Sequence, residues 1–140
     1  MEKRKISAIE YMIAGLMGGT FYSLLEVVSR GYTHWSMTLT GGACAAIMYH
    51  AFSVSKRCVW IKCLWGSLII TALEFASGCI FNLWLDMKVW DYSDRPLNLM
   101  GQICLPFSVL WYALSFPMVW ITDASVRRRP WIRAEKPEKA

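Results

Sequence analysis

Glu74 stands in the stretch ITALEFASGCIFN, with Thr71 three residues before it and Ser77, Gly78 and Asn82 three, four and eight residues after it. At helical spacing these side chains lie on or near one face. A carboxylate at the centre of a membrane costs about 2.5–3.5 kcal/mol on insertion scales, so such a face points to protein or water. Two roles fit it: a site for a proton, a cation or a polar substrate, or a hydrogen-bonded packing anchor. A second acid, Glu26, precedes Arg30 by four residues, the favourable acid-first order on a helix. That pair is either a solvated helix end or the partner of Glu74 in one internal site. The expected transport or ligand site is therefore Glu74, Glu26, Asn82 and Thr71.

Other chemistries are missing from the chain. It contains no G-x-x-x-x-G-K-[ST], no H-E-x-x-H and no G-x-S-x-G. No nucleophile–base set is visible, so an enzyme is not expected. Its five cysteines form no C-x-x-C and read as small packing residues. His34 and His50 fall near opposite faces of the expected membrane domain, too far apart to share a metal. Neither a metal nor a cofactor is expected.

The elements that must position the acids follow from composition. Of 140 residues, 56% are hydrophobic and 14% aromatic, with a mean hydropathy of +0.33. A soluble domain of this size has too little interior to hide that much apolar side chain. A bilayer span needs roughly 20 apolar residues, and four candidates occur: about Ile6–Val28, Ser36–Val54, Lys62–Leu85 and Asn98–Thr122. The expected fold is an all-α integral membrane protein, a single four-helix domain over residues 1–140. Residues 123–140, about the last eighteen by this division, form a basic cytoplasmic tail. The first apolar run is longer than a signal h-region and is expected to stay in the mature chain.

With four spans, Lys3, Arg4, Lys5, Lys56, Arg57, Lys62 and the basic residues from Arg127 onward share one side, against Arg30, Lys88 and Arg95 on the other. The positive-inside rule puts the richer side, and both termini, in the cytoplasm. The net charge of +5 then reflects topology and contact with anionic headgroups. A nucleic-acid partner is not expected.

The chain also carries a weak internal echo. Gly18, Leu25, Glu26 and Ser29 match Gly66, Leu73, Glu74 and Ser77 in spacing, and Leu39, Gly41 and Cys44 match Leu99, Gly101 and Cys104. Two parallel two-helix repeats about an axis along the membrane normal would place the two acids symmetrically. Gly15/Gly19 and Gly42/Ala46 are small-xxx-small pairs, which predict close packing of the first two spans. Phe107, Trp111, Tyr112, Phe116 and Trp120 make the last span bulky, as expected of a surface facing lipid or a second subunit.

The polar stretch WDYSDRPLNLMGQ, Trp90 to Gln102, leads directly into the last span. Pro96 suits a turn or a first helical turn, and Asn98 or Ser93 is placed to cap the helix. Trp90 and Tyr92 suit the headgroup level, Asp91, Asp94 and Arg95 can pair with one another, and Gly101 permits close approach of another helix. The segment reads as an outer cap or as a lid over the acids.

VWDYSDRPLNLMGQICLPFSVLWYALS resembles the signature of the CmpB-like group of small bacterial membrane proteins, ABC-transporter type IV. The pattern W-D-Y-S…P-x-N…G-Q-I-C…S-x-x-W falls on Trp90, Asp91, Tyr92, Ser93, Pro96, Asn98, Gly101, Gln102, Ile103, Cys104, Ser108 and Trp111. The resemblance implies a permease-like transport component of the bacterial cell membrane, and it carries over no substrate and no catalytic residue. Any ATPase would be a separate chain, and four spans are few for a transport path, so a homo-oligomer or another subunit is expected beside the lipid bilayer. The alternative is a scaffold or accessory subunit whose acids only hold helices together.

Overall fold

The computed structural model describes residues 6–129. The chain forms α1 (Ala8–Arg30), α2 (Trp35–Val54), α3 (Val59–Gly78) and α4 (Leu105–Arg127). Ser7 and Glu10 form a reciprocal capping box that starts α1, and Gly31 ends it at φ 82°. His34 caps α2 through Nδ1. Its partner histidine, His50, bonds the Tyr11 hydroxyl, so both rings have structural partners.

Among the described residues, three helices are long and apolar enough to cross a membrane: α1, α3 with its extension to Trp84, and α4. The expected second span is present as a helix of 20 residues but is not one of these. Ser36, Thr38, Thr40, Tyr49 and His50 dilute its hydropathy. The reason lies in its position. α2 packs against α1, α3 and α4, so it meets protein on most sides.

α1 and α2 make the closest pair, as the small residues predict. A Cβ on Gly18 would run into Ala45, one on Gly41 into Tyr22, and one on Gly42 into the Gly15 carbonyl. Below them, Met48, Phe52, Cys63 and Val119 form a core shared by α2, α3 and α4. Large apolar side chains such as Leu16, Val28, Trp84 and Trp120 point outward, the arrangement of a chain solvated by lipid. One end of the bundle is tied by ion pairs: Lys62 Nζ lies 2.7 Å from Asp123 Oδ1, and Arg129 Nη2 lies 2.8 Å from Glu10 Oε1.

The opposite end departs from the expected helices. α3 passes into a π-helical segment, Cys79–Trp84, where the Leu85 amide bonds the Ile80 carbonyl at 2.9 Å. The last span starts at Leu105, not Asn98. Residues Asn98–Cys104 form a small antiparallel hairpin, β1 (Asn98–Leu99) with β2 (Ile103–Cys104), in the register Asn98–Cys104 and Leu99–Ile103. The local structure breaks the proposed echo here. Leu39, Gly41 and Cys44 lie inside a helix, whereas Leu99, Gly101 and Cys104 lie on this hairpin.

The helix α4 also runs five residues past Thr122, so the start of the expected tail is helical. Asp123, Ser125 and Arg129 in it bond the bundle. Arg133, Lys136 and Lys139 lie outside the described residues.

Candidate functional site

The polar face of α3 is built much as its spacing implies, but its partners come from α4 and the segment between α3 and α4. Glu74 is 2% exposed. Its Oε1 accepts from the Tyr92 hydroxyl at 2.9 Å, and its Oε2 accepts from the Trp111 indole Nε1 at 3.0 Å. Both donors are neutral, and the five ion pairs among the described residues do not include this carboxylate. Thr71 meets the Ser108 hydroxyl at 3.0 Å, and Ser77 meets Thr40 at 2.9 Å. Asn82 Nδ2 donates to Gln102 Oε1 at 2.8 Å, and its Oδ1 accepts from the Val89 amide at 2.7 Å. The π-helical segment carries this asparagine, a common association of such turns with special positions.

The segment between α3 and α4 is therefore docked onto the helices. Trp90 is buried and donates its indole N–H to the Gln102 carbonyl at 3.0 Å. Tyr92 stacks on Phe107 with centroids 4.7 Å apart. Neither ring sits free at headgroup level as expected: each has a polar tip with a buried protein acceptor, and that fixes it inside. Burial and the neighbouring Glu74 carboxylate push the Tyr92 phenol above its usual range.

Ser93 and Asn98 do not cap α4. Its N-cap is Cys104, without a side-chain bond. Asn98 instead ties the turn, accepting from the Gly101 amide at 3.1 Å and donating to the Arg95 carbonyl at 2.9 Å. Pro96 lies in that turn. Asp91 accepts from the Ser93 hydroxyl and amide, and both bonds hold its carboxyl below the usual range. Asp94 and Arg95 approach only to 3.9 Å.

Gly101 has a φ of +69°, and a Cβ there would collide with Ser93 and Asp91. Its carbonyl accepts from the Tyr92 amide at 2.7 Å. The glycine thus serves the chain's own turn and not the approach of another helix. Lys88, Leu97 and Met100 also adopt positive φ, which is rare without glycine and marks backbone fixed by its surroundings.

Glu26 lies on the other wall. Arg30 Nη2 and the Thr33 hydroxyl donate to its two oxygens, and Arg30 Nη1 reaches the Val89 carbonyl at 3.0 Å. Between the walls opens a cavity of about 850 Å³, lined by Glu26, Arg30, Asp91, Arg95, Tyr92 and Trp111 among others. Glu74 does not line it. It sits behind Tyr92 and Trp111, which do. The two acids therefore flank one site without touching, while Thr71 belongs to the α3–α4 contact.

Trp111 overturns the expectation of a bulky, outward last span. It is buried, bonded to Glu74 and stacked on Tyr22 at 5.5 Å, while Trp120 alone of the two tryptophans faces out. Tyr92 and Trp111 are the partners that spacing along α3 could not reveal. Their signal lay in the W-D-Y-S…S-x-x-W pattern, whose Tyr92, Gln102, Ser108 and Trp111 each bond a polar residue of α3 or its extension. Among the described residues no group of three His, Cys, Asp or Glu side chains is placed to hold a metal ion.

A family model described as "Putative ABC-transporter type IV" matches residues 7–137, nearly the whole chain. No solved structure matches it.

Proposed function

The chain belongs to this ABC-transporter type IV family of membrane proteins, and from that premise we propose that it is a permease-like transport component. In this reading α2 crosses the bilayer with the other three helices, since it is of similar length and packs along α1 at glycine contacts. The charge distribution supports a cytoplasmic location for both termini in the cell membrane, with the cavity opening outward. The chain moves its ligand without making or breaking covalent bonds. Energy from ATP, where used, comes through a separate ATPase subunit.

One observation carries the reading: the 850 Å³ cavity of mixed charge and aromatic walls, backed by a buried acid that only neutral donors hold. Packing alone is served as well by apolar contacts, and ionisable groups inside membranes commonly mark pathways. Tyr92 and Trp111 place Glu74 one side chain away from the cavity, where a proton or small cation reaches it when either ring moves. The test is proton flux into liposomes holding the full-length protein and an entrapped pH dye. Wild-type protein should collapse an imposed pH gradient faster than empty liposomes, and folded Glu74→Gln should not, because an amide cannot take up the proton. Equal flux in both proteins would make Glu74 a packing anchor and favour the scaffold reading.

A further inference from the structure

The backbone of α1 packs chiefly on α2, and α1 meets α4 through the stacked rings of Tyr22 and Trp111. A groove runs between α1 and α4, floored in part by α2. At one end it widens into the polar cavity, between Tyr22–Arg30 of α1 and Phe107–Leu114 of α4. Further along it continues as a second cavity of about 300 Å³, lined by Ile13, Met17 and Phe21 of α1 and by Leu114, Met118 and Ile121 of α4. Leu114 lines both cavities and stands between them. Glu10 lines the far end, where it pairs with Arg129.

The groove thus changes character along its length. Its narrow part is almost wholly apolar. From Ile13 to Phe21 it spans roughly 12 Å at 1.5 Å per helical residue, close to one leaflet of a hydrocarbon core about 30 Å thick. Phe21 and Ile121 are about half exposed, so this part is open to its surroundings. The wide part holds Lys88, Arg95 and the Arg30–Glu26 pair beside Asp91 and Asp94. The buried Nε of Arg30 has no hydrogen-bond partner. The aromatic rings of Tyr22, Tyr92 and Trp111 complete its wall.

We propose that this groove binds one zwitterionic phospholipid, with its headgroup in the wide polar cavity and an acyl chain along the narrow apolar part. The phosphodiester meets the exposed Lys88 and Arg95 at the cavity mouth, beside the Arg30–Glu26 pair. The ammonium meets Asp91, Asp94 and the ring faces, which attract cations. Only an amphiphile complements both halves: a free phosphate leaves the apolar part empty, and a diacylglycerol leaves the charges unmet. This binding does not depend on the transport reading, since it requires no movement of the lipid across the membrane.

The test is native mass spectrometry of the delipidated full-length protein in detergent, titrated with dioctanoylphosphatidylethanolamine. We expect saturable binding of one lipid per chain, with dioctanoylglycerol and inorganic phosphate binding at least about tenfold more weakly. Leu114→Trp fills the junction of the two parts and should weaken the lipid about tenfold or more. A Lys88→Gln, Arg95→Gln double variant alters exposed side chains only, and it should weaken the lipid while leaving diacylglycerol binding as it was. Melting curves confirm that each variant is folded. Unsaturable uptake, equal lipid binding by wild type and the folded variants, or phosphate binding as tight as lipid would overturn the proposal. So would a lipid-free dimer abolished by Leu114→Trp, which would place a second copy of the chain in the groove.

Discussion

Glu26 and Glu74 are both tied to the segment that follows α3, and they are held by opposite means. Glu26 has a cation: Arg30 bonds it and then reaches the Val89 carbonyl. Its surroundings are partly open, with 11% of its side chain exposed. Glu74 is almost sealed and has a phenol and an indole in place of a cation. The first arrangement fixes a charge and spends it on structure. The second leaves a carboxyl group whose charge no neighbouring side chain cancels. Of the two acids, Glu74 is the one that no cation pairs, although both lie beside the same cavity.

The sharpest way to break this comparison is to remove the acceptor that serves two donors. Glu74→Leu strands the Tyr92 hydroxyl and the Trp111 N–H in a buried site, and each stranded group costs about 1–3 kcal/mol. We expect a loss of about 3 kcal/mol in a detergent unfolding titration. A double-mutant cycle with Tyr92→Phe should show coupling of at least about 1 kcal/mol, and additive losses would mean that the bond contributes nothing.

Gly101→Ala tests whether the hairpin holds Tyr92 in place. The substitution forces a side chain into positive φ and against Ser93 and Asp91, and about 2 kcal/mol is expected. It should also depress proton flux if Tyr92 gates Glu74, while a stable variant with full flux would uncouple the hairpin from the acid. Arg30→Gln leaves Glu26 only the Thr33 hydroxyl. Because Arg30 is about one-quarter exposed, water can partly replace it beside the buried Glu26; we expect about 1 kcal/mol, and a loss as large as that of Glu74→Leu would erase the contrast. The smallest effect belongs to Asp94→Asn, whose pair with Arg95 is long and solvated. Its melting point should correspond to a change within about 0.5 kcal/mol.

The long helices and the α1–α2 contact were legible because they follow from periodicity and small residues along a single stretch. Glu26 with Arg30 was legible for the same reason: the pair is one helical turn apart. Glu74 was legible as an inward acid but not as a partner of Tyr92 and Trp111, which lie 18 and 37 residues away. Hydropathy extended the last span back to Asn98 because Leu99, Met100, Ile103 and Cys104 are apolar. The chain turns there instead, since Asn98 and Gly101 satisfy a tight hairpin whose backbone bonds hold Tyr92. The π-helical segment left no mark in periodicity. It is fixed by Asn82, whose side chain bonds the Val89 amide and Gln102 beyond the helix end.

The helix α1 is fastened to the rest of the molecule like a door bolted at top and bottom. Arg30 holds one end to the Val89 carbonyl, and Glu10 holds the other to Arg129. Between the bolts it rests on α2 and touches α4 through the stacked rings of Tyr22 and Trp111. Drawing one bolt leaves the other, the Tyr22–Trp111 stack and the glycine contact with α2 to hold the leaf. Drawing both leaves the glycine contact with α2 as the leaf's longest fastening.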